Sequence, residues 1–427
     1  MRILCLTNFY PPCEIGGEEQ SCFDVVEALK ARGHTVAVLT SNHGCRRGQV
    51  EDGVYRRLYL EMELGSPLHP LRFFLSRKRR EEQSLAQLRQ TVQEFVPDVI
   101  FIWGMWNLPR SLPALAEALR PGRVLYRFGD YWPTLPSQHV FYWRIPGRRW
   151  FTRPLKRALS RLALAQLSRE EPAPALRFQH AYCISAAMRE KLVEQGVPVE
   201  HARIIYNGVD TNRFRPGSGV DSRRSGNSRV SLLYAGRVVP EKGVHTAVEA
   251  VAHLVQRGVK DVALTILGPR DPDYEATLRQ LVAGQGLESY VSFRDPVSKE
   301  AMPGLLPHFD VLIFPSIWPE PFGRILIEAM ACGLAVVCTP VGGVPEVVTD
   351  EQDGLFFAPE DANGLASQIE RLLRDPLLLH RLAQAARCTV EQRFSLSRMV
   401  DQVETYLQEI ASAPQAQPVA SMGVSAR

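Results

Sequence analysis

Two glutamates eight residues apart, Glu320 and Glu328, lie within the stretch WPEPFGRILIEAMACG. The first falls in a Pro/Gly-rich turn and the second in an apolar run stopped by Gly333. Upstream, YAGRVVPEKG sets Arg237 and Lys242 around the start of a helical pattern. Two cations beside a helix N-terminus suit a diphosphate, because terminal N–H groups and the macrodipole add to the side-chain charge. Carboxylates in a site that also handles phosphate are poor phosphate ligands and are expected to take neutral partners. Sugar and ribose hydroxyls qualify, since a carboxylate accepts two such hydrogen bonds. Spacing alone leaves open a capping Glu320, a solvated Glu328 and ordinary loop roles for Arg237 and Lys242.

Two further places follow predicted strands in the first half. TNFYPPCEIGGEEQ puts Gly16 and Gly17 between a strand and a helix, where a backbone without side chains lets a phosphate or sugar approach. YRFGDYWPTLP offers Asp130 as a general base or hydroxyl binder, or as a turn-forming Asp after Gly129.

The elements that must position these residues alternate as βα units. RILCLT, HTVAVLT, DVIFIW, RVLYR and AYCIS read as buried strands in the first half, with helices such as GEEQSCFDVVEALKARG between them. VSLLYA, VALTIL, VSF, VLIF and AVVC repeat the pattern in the second half. Unbroken apolar runs separated by helices imply parallel sheets, and 427 residues exceed one ordinary core. The reading is two doubly wound domains, 1–206 and 207–394, followed by a helix over 395–410 capped by Ser395 and a disordered Ala/Pro/Ser-rich tail over 411–427. Asn207–Arg229 has a linker composition. The PSIWPEPFG segment is expected to be an exposed turn. LPSQHVFYWRIPGRRWFT is expected to begin as an irregular loop before a basic helix from about Pro154 to Glu170.

No apolar run is long enough to span a bilayer, and the opening MRILCLTNFYPP reads as a first buried strand. The eight cysteines form no C-x-x-C pair, which points to reduced thiols and a cytoplasmic setting. Charge is uneven: residues 1–215 carry a net +10 and the remainder −6. PLHPLRFFLSRKRREEQ runs Phe73, Phe74 and Leu75 into Arg77–Arg80, the pattern of an interfacial helix at an anionic membrane, or of a solvated helix face. Without a recognition module, a nucleic-acid partner is not expected.

Taken together the chain resembles the family 4 retaining glycosyltransferases, which have the two-Rossmann GT-B fold. The resemblance is carried by YNGVDTNRFRPG, LLYAGRVVPEKG, EPFGRILIEAMACGLAVVCTPVGGVPEVV and DGLFFAPEDANGLA, with Glu320 and Glu328 matching the E-x7-E signature. It implies a nucleotide diphosphate sugar donor, no further cofactor and no metal. Arg237 and Lys242 would hold the diphosphate, and Glu328 the ribose. Glu320, with the backbone of Pro321, Phe322 and Gly323, would hold the transferred sugar. Gly16 and Gly17 would approach the donor from the other domain across a closing cleft, and the last helix would return to the first domain. Where many members read His-Asp-Tyr-Trp, this chain reads Gly129-Asp130-Tyr131-Trp132, which puts acceptor-side chemistry in question and leaves Asp130 to cover part of it. The expected activity is hexosyl transfer to a saccharide or lipid-linked acceptor in cell-surface polysaccharide or glycolipid synthesis, at the inner face of the membrane. The alternatives are a non-catalytic nucleotide-sugar-binding partner and a same-fold epimerase.

Overall fold

A computed structural model describes residues 1–13, 16–44, 50–63, 68–147, 153–170, 174–217 and 229–414. The chain divides into two units: unit 1 takes Met1–Cys183, Arg189–Ile205 and the chain from Val400, and unit 2 takes Ile184–Met188 and Tyr206–Met399. Each is built on a sheet that follows the apolar runs.

In unit 1 the strands are β1 (Arg2–Leu6), β2 (Thr35–Ser41), β3 (Val50–Glu51), β4 (Val54–Leu58), β5 (Val99–Ile102), β6 (Val124–Phe128), β7 (His180–Cys183) and β8 (Arg203–Ile204). Their order is β3-β4-β2-β1-β5-β6-β7-β8, parallel except for the β3–β4 pair. Its helices are α1 (Gly17–Ala31), α2 (His69–Phe95), α3 (Ser111–Leu119), α4 (Gln138–Arg144) and α5 (Arg153–Ser168); α6 (Ala186–Glu194) begins in unit 2 and ends in unit 1. Ile3 to Leu6 on the central β1 are fully buried, as expected of a strand covered on both faces.

Unit 2 orders β9 (Val230–Ala235), β10 (Val262–Leu267), β11 (Val291–Arg294), β12 (Val311–Phe314), β13 (Ala335–Cys338) and β14 (Leu355–Phe356) as β11-β10-β9-β12-β13-β14, all parallel. Its main helices are α7 (Val244–Gln256), α8 (Pro272–Gly284), α9 (Arg324–Ala331), α10 (Ala362–Arg374) and α11 (Pro376–Arg393); α12 (Leu396–Ser412) starts there and joins unit 1 from Val400. On α7, Val244, Val248, Val251 and Leu254 are fully buried. Each contributes about 1.5–3 kcal/mol, so a single charge on this face would unseat the helix and the Lys242–Gly243 turn that leads into it. In unit 1, α12 buries Val403, Leu407 and Ile410 and pairs Glu404 with His34 at 2.7 Å.

Several expectations need correction. The four strands β3, β4, β8 and β14 have no counterpart in the apolar runs. β4 alternates buried and half-buried residues, and its Arg56 is buried because the guanidinium donates to the carbonyls of Tyr10 and Pro11. The segment expected to start as an irregular loop forms α4, whose first turn Ser137 caps by accepting from the Val140 N–H at 3.3 Å. Ile184–Met188 go with unit 2 because Glu346 accepts the N–H groups of Ala186 and Ala187 at 2.8 and 2.9 Å. Within the expected linker, Asn207, Val209 and Phe214 are buried, and Arg387 donates to the Thr211 carbonyl at 3.0 Å. Residues 218–228 lie outside the described residues. The last helix runs to Ser412, two residues into the expected tail, and residues 415–427 of that tail also lie outside them.

Candidate functional site

In unit 2 the candidate residues sit on the loops that leave the carboxyl ends of β9 and β12, the edge where open α/β sheets bind ligands. Ile317 and Trp318 each donate an N–H to the Glu241 carbonyl at 3.1 Å. Thr339, after β13, donates its hydroxyl to the Ser316 carbonyl at 2.6 Å, and the Gly343 N–H reaches the Glu320 carbonyl at 2.7 Å. Gly243 holds a left-handed turn (φ 64°) in which a Cβ would overlap the Pro315 carbonyl oxygen, so only glycine permits this approach. The consequence is a side-chain contact across 78 residues of sequence: Lys242 Nζ donates to Glu320 Oε1, and the Ser316 hydroxyl donates to the same oxygen at 2.7 Å.

The expected exposed turn is therefore only partly exposed. Trp318 and Pro319 face solvent, while Pro315, Ser316, Glu320 and Phe322 are buried. A buried carboxylate is tolerated when it is paired and hydrogen-bonded, and Lys242 and Ser316 supply both. The Phe322 ring packs against Tyr206 and Phe394, with centroids at 6.0 and 5.7 Å, and the residue is buried between half-buried Pro321 and Gly323. Gly323 is the N-cap of α9. Glu328, one turn into that helix, accepts from Arg324 Nε at 2.8 Å; Leu326, Ile327, Ala329 and Met330 pack behind it. Arg237 is exposed at the end of β9, its carbonyl accepting the Tyr234 hydroxyl at 2.6 Å.

In unit 1, Gly16 is the N-cap of α1 and donates its N–H to Glu19 Oε2 at 2.9 Å, and Gly17 is the first helical residue. Glu18 follows, and its carboxylate accepts from Arg127 on β6. Arg127 is 1% exposed, with its guanidinium 4.2 Å from the Trp103 ring centroid. A Cβ on Gly129 would overlap Arg127 Nη1 and come within 2.6 Å of both Glu18 carboxylate oxygens. The ion pair occupies the space of the missing side chain. Asp130 accepts the Trp132 N–H at 3.0 Å, as a turn-forming Asp does. Burial, and then the Glu18 charge, push its carboxyl up to about 7. His139, the other histidine near this motif, is buried on α4 and stacked on His69 at 5.6 Å.

Unit 2 thus gathers Lys242, Glu320 and Ser316, with Arg237 and Glu328 on the adjoining β9 and β12 connections, and unit 1 gathers Gly129, Asp130, Glu18 and Arg127. Sequence reasoning missed Ser316, Glu18 and Arg127. Ser316 and Glu18 carried weak signals, as neighbours of Glu320 and of the glycine pair; Arg127, inside an apolar strand, carried none. Among the described residues, no group of three or more His, Cys, Asp and Glu side chains is placed to hold a metal.

Residues 221–389 match the family model for glycosyl transferases group 1, and residues 15–213 match the model for glycosyltransferase family 4. A glycogen synthase of Mycobacterium tuberculosis is 28% identical over 410 residues, 91% of this chain and 89% of that one. A D-inositol 3-phosphate glycosyltransferase of Streptomyces bingchenggensis is 30% identical over 315 residues, 66% of this chain and 67% of that one. Among solved structures, Anabaena HepE in complex with UDP and glucose superposes with a TM-score of 0.68 at 22% identity, covering 95% of this chain and 99% of that one. The GT-B fold expected from the motifs is therefore the fold observed, and the chain belongs to the family 4, group 1 glycosyltransferases.

Proposed function

We propose that the protein is a retaining, metal-independent transferase that moves a hexosyl-type sugar from a nucleotide diphosphate sugar to a saccharide or lipid-linked acceptor, in cell-surface polysaccharide or glycolipid synthesis. The observation that carries this reading is the Lys242–Glu320–Ser316 contact at the carboxyl edge of the unit 2 sheet, which sets a phosphate-binding cation against a hydroxyl-binding carboxylate. Arg237, Lys242 and the first N–H groups of α7 offset charge on the leaving diphosphate. Glu320 and the Pro321–Gly323 backbone hold the sugar, and Glu328 holds the ribose. The bond from the anomeric carbon to the diphosphate oxygen breaks as the acceptor oxygen bonds to that carbon on the same face. The acceptor proton passes to the leaving phosphate. Glycogen synthase and D-inositol 3-phosphate glycosyltransferase among the relatives support a hydroxyl-bearing acceptor.

A thermal-shift series with UDP, GDP, ADP and their glucose conjugates, followed by assays of donor hydrolysis, tests the reading. One nucleotide series is expected to stabilise the protein and its sugar conjugate to hydrolyse slowly; no binding in any series contradicts it. Gly129 favours a second reading, a binding partner without turnover, which predicts stabilisation with neither hydrolysis nor transfer.

The setting is proposed to be the cytoplasmic face of an anionic membrane. No helix among the described residues is long and apolar enough to cross one. Phe73 is buried, Arg77 and Lys78 turn to Glu170 and Arg80 to Glu63, so the expected anchor narrows to Phe74 and Leu75 beside Arg79 on α2. Phe141 on α4 and Leu155 and Leu162 on α5 add exposed apolar side chains, and Arg153, Arg157 and Arg161 of α5 lie among exposed positions as well. Apolar anchors amid cations suit an anionic interface. Salt-sensitive sedimentation with phosphatidylglycerol vesicles, lost in Leu75→Glu/Leu155→Glu, is expected; equal recovery with and without vesicles contradicts it.

A further inference from the structure

Glu320 receives both of its side-chain donors on one oxygen. Lys242 Nζ and the Ser316 hydroxyl each reach Oε1, and among the described residues no group donates to Oε2. The side chain is 9% exposed, so little water replaces a donor that leaves. A buried carboxylate stripped of its last partner carries a heavy desolvation cost. On the transferase reading Lys242 is such a departing donor, because the diphosphate it holds competes with Glu320 for the same ammonium.

Ser316, by contrast, is fixed. It lies just past β12, is 1% exposed, and its carbonyl accepts the hydroxyl of fully buried Thr339 at 2.6 Å. The next two N–H groups, of Ile317 and Trp318, end on the carbonyl of Glu241, the residue before Lys242. The two main chains are therefore tied together, while the lysine side chain is 17% exposed and swings on a flexible stem. The ammonium can leave without moving the hydroxyl. That hydroxyl has one proton and two acceptors in reach, Glu320 Oε1 at 2.7 Å and the Trp318 carbonyl at 3.3 Å. The nearer, charged oxygen is the stronger acceptor.

We infer that Ser316 is a positioning residue: it keeps Glu320 hydrogen-bonded while Lys242 passes to the diphosphate, so that the buried carboxylate is freed for a sugar hydroxyl without being left bare. This role rests on the transferase reading. It couples the two ends of the donor. The diphosphate draws off the ammonium, and a hydroxyl of the sugar then donates to the carboxylate in its place.

Calorimetric titration of the intact chain with UMP, UDP and UDP-glucose, or with the guanosine or adenosine set if that is the base bound, tests the role. Ser316→Ala is expected to lose about tenfold or more in affinity for the diphosphate, the scale of one hydrogen bond to a charge. It should lose less for the sugar conjugate, whose hydroxyl can donate to Glu320, and nothing for the monophosphate, which lacks the phosphate next to the sugar. In a Glu320→Gln background, where no charge is stranded, the same substitution is expected to leave diphosphate binding unchanged. Ser316→Cys keeps a weak donor and should fall between wild type and Ser316→Ala; it carries the test if Ser316→Ala does not fold. Equal losses for all three ligands, no loss, or a diphosphate loss that persists in Glu320→Gln overturns the role and leaves the transferase reading standing. A wild type that binds none of the nucleotides removes that reading, and the role of Ser316 with it.

Discussion

The two units each pair a cation with a carboxylate, and they bury opposite partners. In unit 2 the carboxylate is the better buried, with Glu320 9% and Lys242 17% exposed at the side chain; in unit 1 it is the cation, with Arg127 1% and Glu18 26% exposed. Lys242 is a flexible ammonium on a loop, free to be shared with an arriving anion while Ser316 still bonds Glu320. Arg127 is a planar group locked over Trp103, and it presents Glu18 in a fixed place. The contrast separates a pair arranged to exchange partners from a pair arranged to hold one. On the proposed reading anion handling falls to unit 2, while in unit 1 a fixed carboxylate and its guanidinium fill the space beside Gly129.

Breaking the fixed pair should have the largest effect. Arg127→Met is expected to cost about 3 kcal/mol in urea unfolding, the low end for a broken buried pair because Glu18 keeps some solvent. Lys242→Met, which leaves Glu320 its bond from Ser316, should cost about 1.5–3 kcal/mol for a lost charged hydrogen bond and weaken nucleotide binding at least tenfold. If Lys242→Met proves the more destabilising of the two, the contrast is wrong. Gly129→His comes next: an imidazole must displace Arg127 and Glu18, at about 1–3 kcal/mol for an overpacked site. Unchanged stability in that variant would show that the space is open.

The smallest effect is in pH dependence. Asp130 keeps its proton in the folded protein up to about 7 but releases it near the ordinary 3.8 when unfolded. The folded state therefore binds more protons between these values, and Asp130 costs stability as pH rises through that window. Asp130→Asn should gain on the wild type from about pH 4 to about pH 7 and hold a constant difference outside it. A difference that is flat throughout would show that burial and the Glu18 charge do not raise this carboxyl.

The fold was largely legible because most strands are buried on both faces and read as unbroken apolar runs, as in VSLLYA and VLIF. β4 was not, since VYRRL alternates and its buried Arg56 is satisfied by carbonyls more than 40 residues away. The carboxylates and cations of unit 2 were legible as types, and the motif resemblance gave them roles. Their burial was not, because the partner that makes it tolerable for Glu320 lies 78 residues upstream. In unit 1, Gly129 read as a loss, but the space is filled by Arg127, whose position inside a strand gives it no sequence signal.

The central claim is that Glu320 and Glu328 hold different ends of one nucleotide diphosphate sugar. Calorimetric titration of Glu320→Ala and Glu328→Ala, with the stabilising nucleotide and with its sugar conjugate, tests it most directly. Glu328→Ala should weaken both ligands, and Glu320→Ala only the sugar conjugate. Equal losses for both ligands in both variants would contradict the account.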